Sequence, residues 1–346
     1  MARHLALGVL RHRGWLDAVL ERVGRPVETL DAPVRAALRL GLFELHFSRT
    51  PDHAAVDQAV ELVKGLKKGR ASGYVNAVLR RAGAEQLPTD PLLNHPAWLM
   101  ERWIDRLGES ATRELCARLD QPAPLALVGD IGELSARPTS VEACFLLDEA
   151  GAVPALPGYD QGGWWVMDPA AAAVADLVPK GRVLDACAAP GGKTLRLLWR
   201  GCDVVAVDRN RRGLRRLADN LARCGYSAGT HRIDWESGTP DLGIFDAVLV
   251  DAPCTGLGTT RRHPEIRWTR LPTDPAAMGL RQERILAACA RHVRPEGHLV
   301  YSVCSPEPEE GPQVAKSLGW PVLEELQTHG KPDMDAHYAA LLRRPA

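Results

Sequence analysis

The sequence predicts an α/β protein in which an open, doubly wound parallel sheet follows an all-helical segment and a small middle segment. From Asp168 onward, short and nearly all-apolar runs alternate with helical stretches, a pattern typical of parallel strands covered on both faces. Through residues 1–87, apolar residues recur every three or four positions, which indicates packed helices. Three prolines within residues 87–96 separate these regions.

These patterns divide the 346 residues into three predicted domains: a helical domain at 1–87, a linker and small middle domain at 88–165, and an α/β domain at 166–346. Within the middle domain, residues 97–120 fit two amphipathic helices. Residues 121–165 fit a small mixed segment with the turn-rich sequence "LPGYDQGGWW".

Five strands are predicted in the α/β domain, with helices after the first and second strands and one long helix after the fourth. The long helix begins at about residue 275. The predicted strands are residues 182–187, 203–208, 230–234, 245–253 and 297–305.

Composition indicates a globular cytoplasmic protein with no membrane association. With 45% apolar and 25% charged residues, the chain has no apolar run near the roughly 20 residues that span a bilayer. The N-terminal run "LALGVL" ends at Arg11, too early for a secretory signal. The eight cysteines are scattered, which favours free thiols over disulfides. Cys289 and His292 make one possible ligand pair, too little to predict a metal site.

The basic residues cluster, although the net charge is zero. Residues 1–87 hold 14 Arg and Lys against 9 Asp and Glu, and arginines also cluster in "RNRRGLRR" (209–216) and "RRHPEIRWTR" (261–270). Such patches either follow the phosphates of a nucleic acid or are ordinary solvated faces. The sequence leaves both interpretations open.

The ends of the predicted strands carry the candidate binding residues, since ligands of open α/β sheets bind beyond the carboxyl ends of the strands. The first strand leads into "CAAPGGKT" (187–194), where Gly191 and Gly192 allow the backbone to approach a ligand and a helix begins. The second strand ends on Asp208, which is placed to accept hydrogen bonds from ribose hydroxyls.

The third and fourth strands end on Asp234 and Asp251. One such aspartate is as easily a helix cap or a turn former. Because several lie at one edge of the sheet, they predict a site for a nucleoside.

A phosphate-binding P-loop is the alternative for "APGGKT". That motif requires a glycine five positions before Gly192, where this chain has Cys187. The missing glycine disfavours a nucleoside triphosphatase, and no magnesium is predicted.

Two cysteines lie at neighbouring strand ends. Cys254 follows the fourth strand and Cys304 ends the fifth. Ser305 is a predicted N-cap with Pro306 at the first helical position, so the helix field is expected to favour the Cys304 thiolate. Adjacent strands lie about 4.8 Å apart, so both thiols could face one pocket. The alternative for each is a buried apolar cysteine.

Three segments, "DACAAPGGKT", "DAPCTGLGTTRRHPEIRW" and "LVYSVCSPEPEE", resemble the RNA cytosine-C5 methyltransferases that use S-adenosyl-L-methionine. The match spans residues 168 to about 320. The N-terminal residues look like the NusB-type RNA-binding helical domain. The combination is similar to the bacterial Sun/RsmB type, which methylates small-subunit (16S) ribosomal RNA.

The resemblance implies a Rossmann-like class I methyltransferase domain that acts on a flipped or single-stranded cytosine. Its implied catalytic residues are Cys304 as nucleophile, Cys254 as its helper, Asp251 and Lys193. The implied cofactor-binding residues are Cys187, Ala188, Ala189, Pro190, Gly191, Gly192, Lys193, Asp208, Asp234 and Asp251. A monomer without metal is expected. The rival hypothesis is a non-catalytic RNA-binding or antitermination factor that retains the methyltransferase fold.

Three segments depart from the family's pattern. "LALVGDIGEL" stands where an Arg-Val-Asn strand is usual, which leaves the role of residues 121–165 unassigned. Met167 replaces a typical glutamine before Asp168, and "DMDAHYAALL" replaces an Asp-Gly-Phe pattern near the C-terminus.

Overall fold

The computed structural model describes residues 2–84, 90–147, 151–238 and 240–346. Two compact units make up the chain: Met1–Pro122 with Thr260–Thr269, and Ala123–Thr259 with Arg270–Ala346. The predicted three-domain division stays a prediction. Its first boundary, at 87/88, lies outside the described residues, and its middle domain is shared between the two units.

The first unit is helical throughout its described part. Gly41 allows close packing of its helices, since a Cβ there would lie 2.6 Å from a Leu79 methyl and 2.9 Å from the Ala59 Cβ. The two helices predicted over 97–120 are confirmed, and each buries one apolar face. The helices are α1 (Ala2–Arg11), α2 (Arg13–Val23), α3 (Ala32–Phe47), α4 (Asp52–Gly65), α5 (Ser72–Gly83), α6 (Ala97–Leu107) and α7 (Glu109–Leu119).

The second unit begins with a small antiparallel sheet in the order β2-β3-β1-β4. The segment that departs from the family's pattern forms its strand β1, so a strand is present there despite the different residues. The strands are β1 (Leu125–Gly129), β2 (Arg137–Pro138), β3 (Cys144–Leu147) and β4 (Trp164–Val166).

A large sheet follows, in the order β10-β11-β9-β8-β5-β6-β7. The five predicted strands β9, β8, β5, β6 and β7 are parallel neighbours. The elements are α8 (Pro169–Asp176), β5 (Arg182–Asp185), α9 (Gly192–Trp199), β6 (Asp203–Asp208), α10 (Arg211–Arg223), β7 (Gly229–Arg232), β8 (Phe245–Asp251), α11 (Ile266–Thr269, within the first unit), α12 (Asp274–Ala290), β9 (Val293–Val303), α13 (Pro312–Lys316), β10 (Val322–Gln327) and β11 (Tyr338–Arg343).

Two C-terminal strands extend the sheet beyond the prediction. β11 pairs antiparallel with β9, and β10 pairs antiparallel with β11. The sequence "VLEELQ" of β10 lies on the edge with mostly exposed side chains, and "YAALLR" of β11 is rich in residues that also favour helices. Neither segment therefore shows the apolar, β-branched pattern of a buried strand.

Both faces of the large sheet are covered, as predicted for a doubly wound fold. In β8, Ala247 and Leu249 pack on the face that carries α8, α9 and α10, whereas Val248 and Val250 pack on the face that carries α12 and α13. By this alternation, Asp251 ends β8 on the first face. None of the described helices is long and apolar enough to cross a membrane.

Candidate active site

The sheet order brings the predicted site residues to one edge. Neighbouring parallel strands β9, β8, β5, β6 and β7 all end there, because parallel strands share one carboxyl edge. The residues at or just after these ends are, in the same order, Cys304, Asp251, the loop 187–193, Asp208 and Asp234.

The two cysteines that follow β8 and β9 lie together. The Cys254 and Cys304 sulfurs are 3.2 Å apart and both side chains are partly buried. Hydrogen bonding to Cys304, together with burial, raises the pKa of Cys254 well above its usual range. Cys254 therefore stays a thiol at neutral pH and can donate a hydrogen bond to the Cys304 sulfur.

Lys193 and Asp251 form an ion pair beside these thiols. The Lys193 ammonium donates to Asp251 Oδ2 at 2.6 Å, and Ser302 Oγ donates to Oδ1 at 2.7 Å. Burial alone would raise the pKa of Asp251, but the Lys193 charge and these hydrogen bonds outweigh it and lower the pKa. Asp251 is thus a carboxylate, and its charge correspondingly raises the pKa of Lys193 against the effect of burial.

A second carboxyl group, Asp185 at the end of β5, is fully buried. Thr194 Oγ1 donates to its Oδ2 at 2.7 Å, while Oδ1 has no hydrogen-bond partner. Burial raises the pKa of Asp185 to about 7, despite the hydrogen bond from Thr194. This group is therefore largely protonated just below neutral pH.

The predicted helix after Cys304 is wrong. Ser305 and Pro306 lie in an irregular turn, and the next helix, α13, begins only at Pro312. The Ser305 hydroxyl donates to the Glu310 carboxylate at 2.5 Å, so this turn is stabilised by a buried side chain rather than by helix formation. The positive charge that acts near Cys304 is the Lys193 ammonium, since the two groups interact electrostatically.

The sequence analysis missed Glu310, which joins the segments that follow both cysteines. Its buried carboxylate accepts from the Thr255 N–H at 2.7 Å and the Thr255 hydroxyl at 2.5 Å, and from Ser305. Thr255 and Ser305 directly follow Cys254 and Cys304. Nothing in the local pattern "PEPEE" distinguishes Glu310 from its acidic neighbours, so only the fold reveals this role.

The loop 187–193 is held by Asp208 at the end of β6. Gly191 has φ +107° and caps α9, a conformation that favours glycine. Asp208 Oδ2 accepts from the Ala189 N–H at 3.0 Å, and Oδ1 accepts from the Asn210 N–H at 2.7 Å. These bonds fix the loop against the end of β6.

Two cavities of the second unit border these residues. One, of about 410 Å³, is lined by residues 187–190, Gly192, Lys193 and Asp251. The other, of about 520 Å³, is lined by Asp234 with Arg209, Asn210 and Arg232. A glycine-bearing loop, acceptors at successive strand ends and cavities along the same edge of the sheet fit a nucleoside cofactor.

The arginine clusters at 209–216 and 261–270 differ in how exposed their side chains are. In α10 the four arginines at 211, 212, 215 and 216 are exposed, and none forms an ion pair within the described chain. In the cluster 261–270, Arg267 is fully buried in the first unit, where it donates to Asp120 Oδ1 at 2.7 Å and to the Asn94 carbonyl at 3.1 Å. The interpretation of the cluster 261–270 as a phosphate patch is therefore wrong for Arg267.

Comparisons with known proteins show the family to which the chain belongs. The family model described as 16S rRNA methyltransferase RsmB/F matches residues 172–329, and the NusB family model matches residues 1–83. Ribosomal RNA small subunit methyltransferase B of Pseudomonas putida is 33% identical over 100% of this chain and 85% of its own length. The protein of the same name from Erwinia tasmaniensis is 34% identical over 90% of this chain and 79% of its own length.

Solved structures share the fold. PH0851 matches with a TM-score of 0.82 and 21% identity over 99% of this chain and 89% of its own. NSun6 from Pyrococcus horikoshii, solved with SFG, matches with a TM-score of 0.64 and 17% identity over 72% of this chain and 98% of its own.

The family models and the fold show an S-adenosylmethionine-dependent methyltransferase with a NusB-type helical region at its N-terminus. The chain belongs to the RsmB/F family of 16S rRNA methyltransferases. The predicted family, fold class and cofactor are confirmed.

Proposed function

We propose that the protein methylates C5 of a cytosine in 16S rRNA through a covalent bond between Cys304 and C6 of the base. The observation that carries this proposal is the pair of thiols 3.2 Å apart at neighbouring strand ends, beside the Lys193–Asp251 ion pair. The relatives' names supply the substrate class, since both are small-subunit rRNA methyltransferases.

The cofactor residues follow from the cavities. Residues 187–190, Gly192, Lys193 and Asp251 line one cavity and Asp234 lines the other. Asp208 accepts from the Ala189 N–H of the loop, and we assign its carboxylate to the ribose hydroxyls. When bound, S-adenosylmethionine supplies an electrophilic methyl group. The chain must then make cytosine C5 nucleophilic, which it is not in the free base.

Cys304 supplies that activation. Attack of its sulfur on C6 of a flipped-out cytosine moves electron density onto C5. The Lys193 ammonium interacts electrostatically with this sulfur and lies beside it. Asp251, held as a carboxylate by Lys193 and Ser302, provides fixed charge toward the polar edge of the base.

Cys254 serves the release of the product. After methyl transfer, C5 must lose its proton and Cys304 must depart as a thiolate. Because Cys254 stays a thiol beside the Cys304 sulfur, its geometry favours hydrogen bonding to the departing thiolate over direct removal of the C5 proton.

Nucleoside analysis tests the reaction. Purified protein, 16S rRNA and methyl-labelled S-adenosylmethionine should yield label in 5-methylcytidine after digestion to nucleosides, and Cys304→Ala should yield none. Bisulfite sequencing would then locate the cytosine. Label in any other nucleoside would overturn the C5 assignment. Absence of label with folded protein that binds S-adenosylhomocysteine would favour the non-catalytic RNA-binding alternative.

A further inference from the structure

One imidazole lies at the site edge and is not used by the reaction described above. The last paired residues of β11 and β9 are Tyr338 and Val303, and the register gives Ala339 opposite Ser302. His337 and Cys304 are the next residues beyond this last pair, one on each chain, and both lie just outside the strands. His337 lies in the C-terminal segment that departs from the family's pattern.

The alternation of side chains along β8, β9 and β11 shows which row of residues faces the Lys193–Asp251 ion pair. Ser302 is opposite Asp251 on β8 and donates to its carboxylate, so the row containing Ser302 and Ala339 faces the ion pair. Cys304 and His337 are each two residues along the chain from that row. The Lys193 ammonium interacts electrostatically with both Cys304 and His337, and Asp251 interacts with His337 as well. The imidazole and the Cys304 sulfur therefore border the same ion pair, where a base bonded to Cys304 would lie.

Cys304 thus has a different neighbour on each side. In the sheet, β9 lies between β11 and β8. His337 is on the β11 side and Cys254 follows β8 on the other side.

Backbone hydrogen bonds fix the His337 segment to the cysteine loop. The Ala336 N–H donates to the Gly258 carbonyl at 3.1 Å, and the Gly258 N–H donates to the Cys304 carbonyl at 3.0 Å. A Cβ on Gly258 would lie 1.9 Å from the Ala336 oxygen, so this close approach requires glycine. The His337 N–H also donates to Thr328 Oγ1 at 2.8 Å.

The His337 imidazole can accept a proton. His337 is 6% exposed, and its Nδ1 is buried without a hydrogen-bond partner. Burial and the Lys193 ammonium lower the pKa of His337, against the opposing effect of the carboxylates of Asp168, Asp251 and Asp335. The ring is neutral at neutral pH and carries a free lone pair.

The other titratable groups beside Cys304 are less suited than His337 to accept a proton from the bound base. Lys193 is protonated, because the nearby carboxylate raises its pKa. Asp251 is held as a carboxylate of low basicity by two hydrogen bonds. Cys254 is a thiol that has no free electron pair of comparable basicity.

We propose that His337 removes the C5 proton from the methylated, Cys304-bound base. The imidazole nitrogen takes the proton, the C5–H electron pair forms the C5=C6 double bond, and the C6–S pair leaves with Cys304 as thiolate. The resulting imidazolium returns its proton to water. This assignment rests on the proposed C5 reaction.

Single-turnover kinetics separate the loss of the C5 proton from adduct formation and methyl transfer. His337→Phe keeps an aromatic ring without a basic nitrogen, and His337→Gln keeps a polar side chain without one. His298→Phe, at the middle of β9 and six residues before Cys304, is the matched control. Calorimetry with S-adenosylhomocysteine identifies folded variants, labelled methyl measures transfer to RNA, and denaturing electrophoresis measures release of RNA from the covalent adduct.

Both His337 variants should form the adduct and transfer methyl, but release RNA about 10²- to 10⁴-fold more slowly than the control. Wild-type release should fall about tenfold per pH unit below the lowered pKa of His337, and the variants should lose this dependence. Release at the wild-type rate with the wild-type pH profile in either folded variant would overturn the proposal. No adduct in any protein, wild type included, would instead contradict the covalent mechanism.

Discussion

Three carboxyl groups near the sheet edge, of which Asp185 and Glu310 are buried and Asp251 is partly exposed, differ in the direction of their pKa shifts because they differ in partners. Asp251 has the Lys193 ammonium within 2.6 Å, which outweighs the cost of burial and keeps it ionised. Asp185 and Glu310 have only hydroxyl, amide and backbone donors, and burial raises the pKa of both. Of the three, Asp251 is therefore the group whose pKa is lowered, and it is the one that lies beside Lys193 and the thiols.

The raised pKa of Asp185 makes folding stability depend on pH. Its native pKa of about 7 exceeds the ordinary value of 3.8, so the native state binds the proton more tightly. The resulting stabilisation is complete at acid pH and is lost as the pH rises through 7. Each pKa unit corresponds to about 1.4 kcal/mol, so wild type should lose roughly 3 kcal/mol from this group between pH 5 and 8.

Asp185→Asn cannot titrate but keeps an oxygen that accepts from Thr194. The free energy of unfolding of the variant, relative to wild type, should therefore increase from pH 5 to pH 8 in urea titrations. A difference that stays constant over this range would mean that Asp185 does not titrate near neutrality in the native state.

At the scale of elements, the sequence correctly predicted those strands that a local residue pattern marks. Apolar runs located the five parallel strands, and the rule that ligands bind at their carboxyl ends located Asp208, Asp234 and Asp251. Contacts distant in sequence were not predictable: Glu310 meets Thr255 across 55 residues, and this contact replaces the helix that Ser305 and Pro306 favour locally. β10 and β11 were missed because their stability comes from pairing with β9 rather than from their own composition.

The helix α10 is the element expected to hold RNA. Its exposed arginines have no ion-pair partners in the described structure, so their charge is available to phosphates. Arg212→Ala with Arg216→Ala should reduce the slope of log affinity against log salt by about 1.4, or about 0.7 per phosphate contact with single-stranded RNA.

The matched control is Arg294→Ala with Arg343→Ala. These arginines pair with Asp246 and Glu296 at the opposite edge of the sheet. Binding of a 16S rRNA fragment measured over a range of salt concentrations gives both slopes. Equal slopes for the α10 variant and wild type would exclude this face from the RNA-binding surface.

At the scale of the whole molecule, the chain interleaves its two units. The chain leaves the second unit after Thr259, contributes residues 260–269 to the first, and returns at Arg270, whose Nε donates to the Thr255 carbonyl at 2.7 Å. Within the first unit, Trp268 Nε1 donates to the Leu10 carbonyl at 2.7 Å. Residues 260–269 are therefore part of the first unit, and deletion of residues 1–87 would remove Leu10, the partner of Trp268, while leaving the Asn94 and Asp120 partners of Arg267.

Denaturing electrophoresis of two cysteine variants with substrate RNA and S-adenosylmethionine tests the central claim, that Cys304 bonds to the base and Cys254 assists its release. Cys304→Ala should give neither methylation nor a covalent complex, because no sulfur is available to add at C6. Cys254→Ala should accumulate protein bound to methylated RNA, because adduct formation is intact and departure of the Cys304 thiolate is slowed. An adduct with Cys304→Ala and none with Cys254→Ala would reverse the two roles, and methylation by both variants without any adduct would contradict the covalent mechanism.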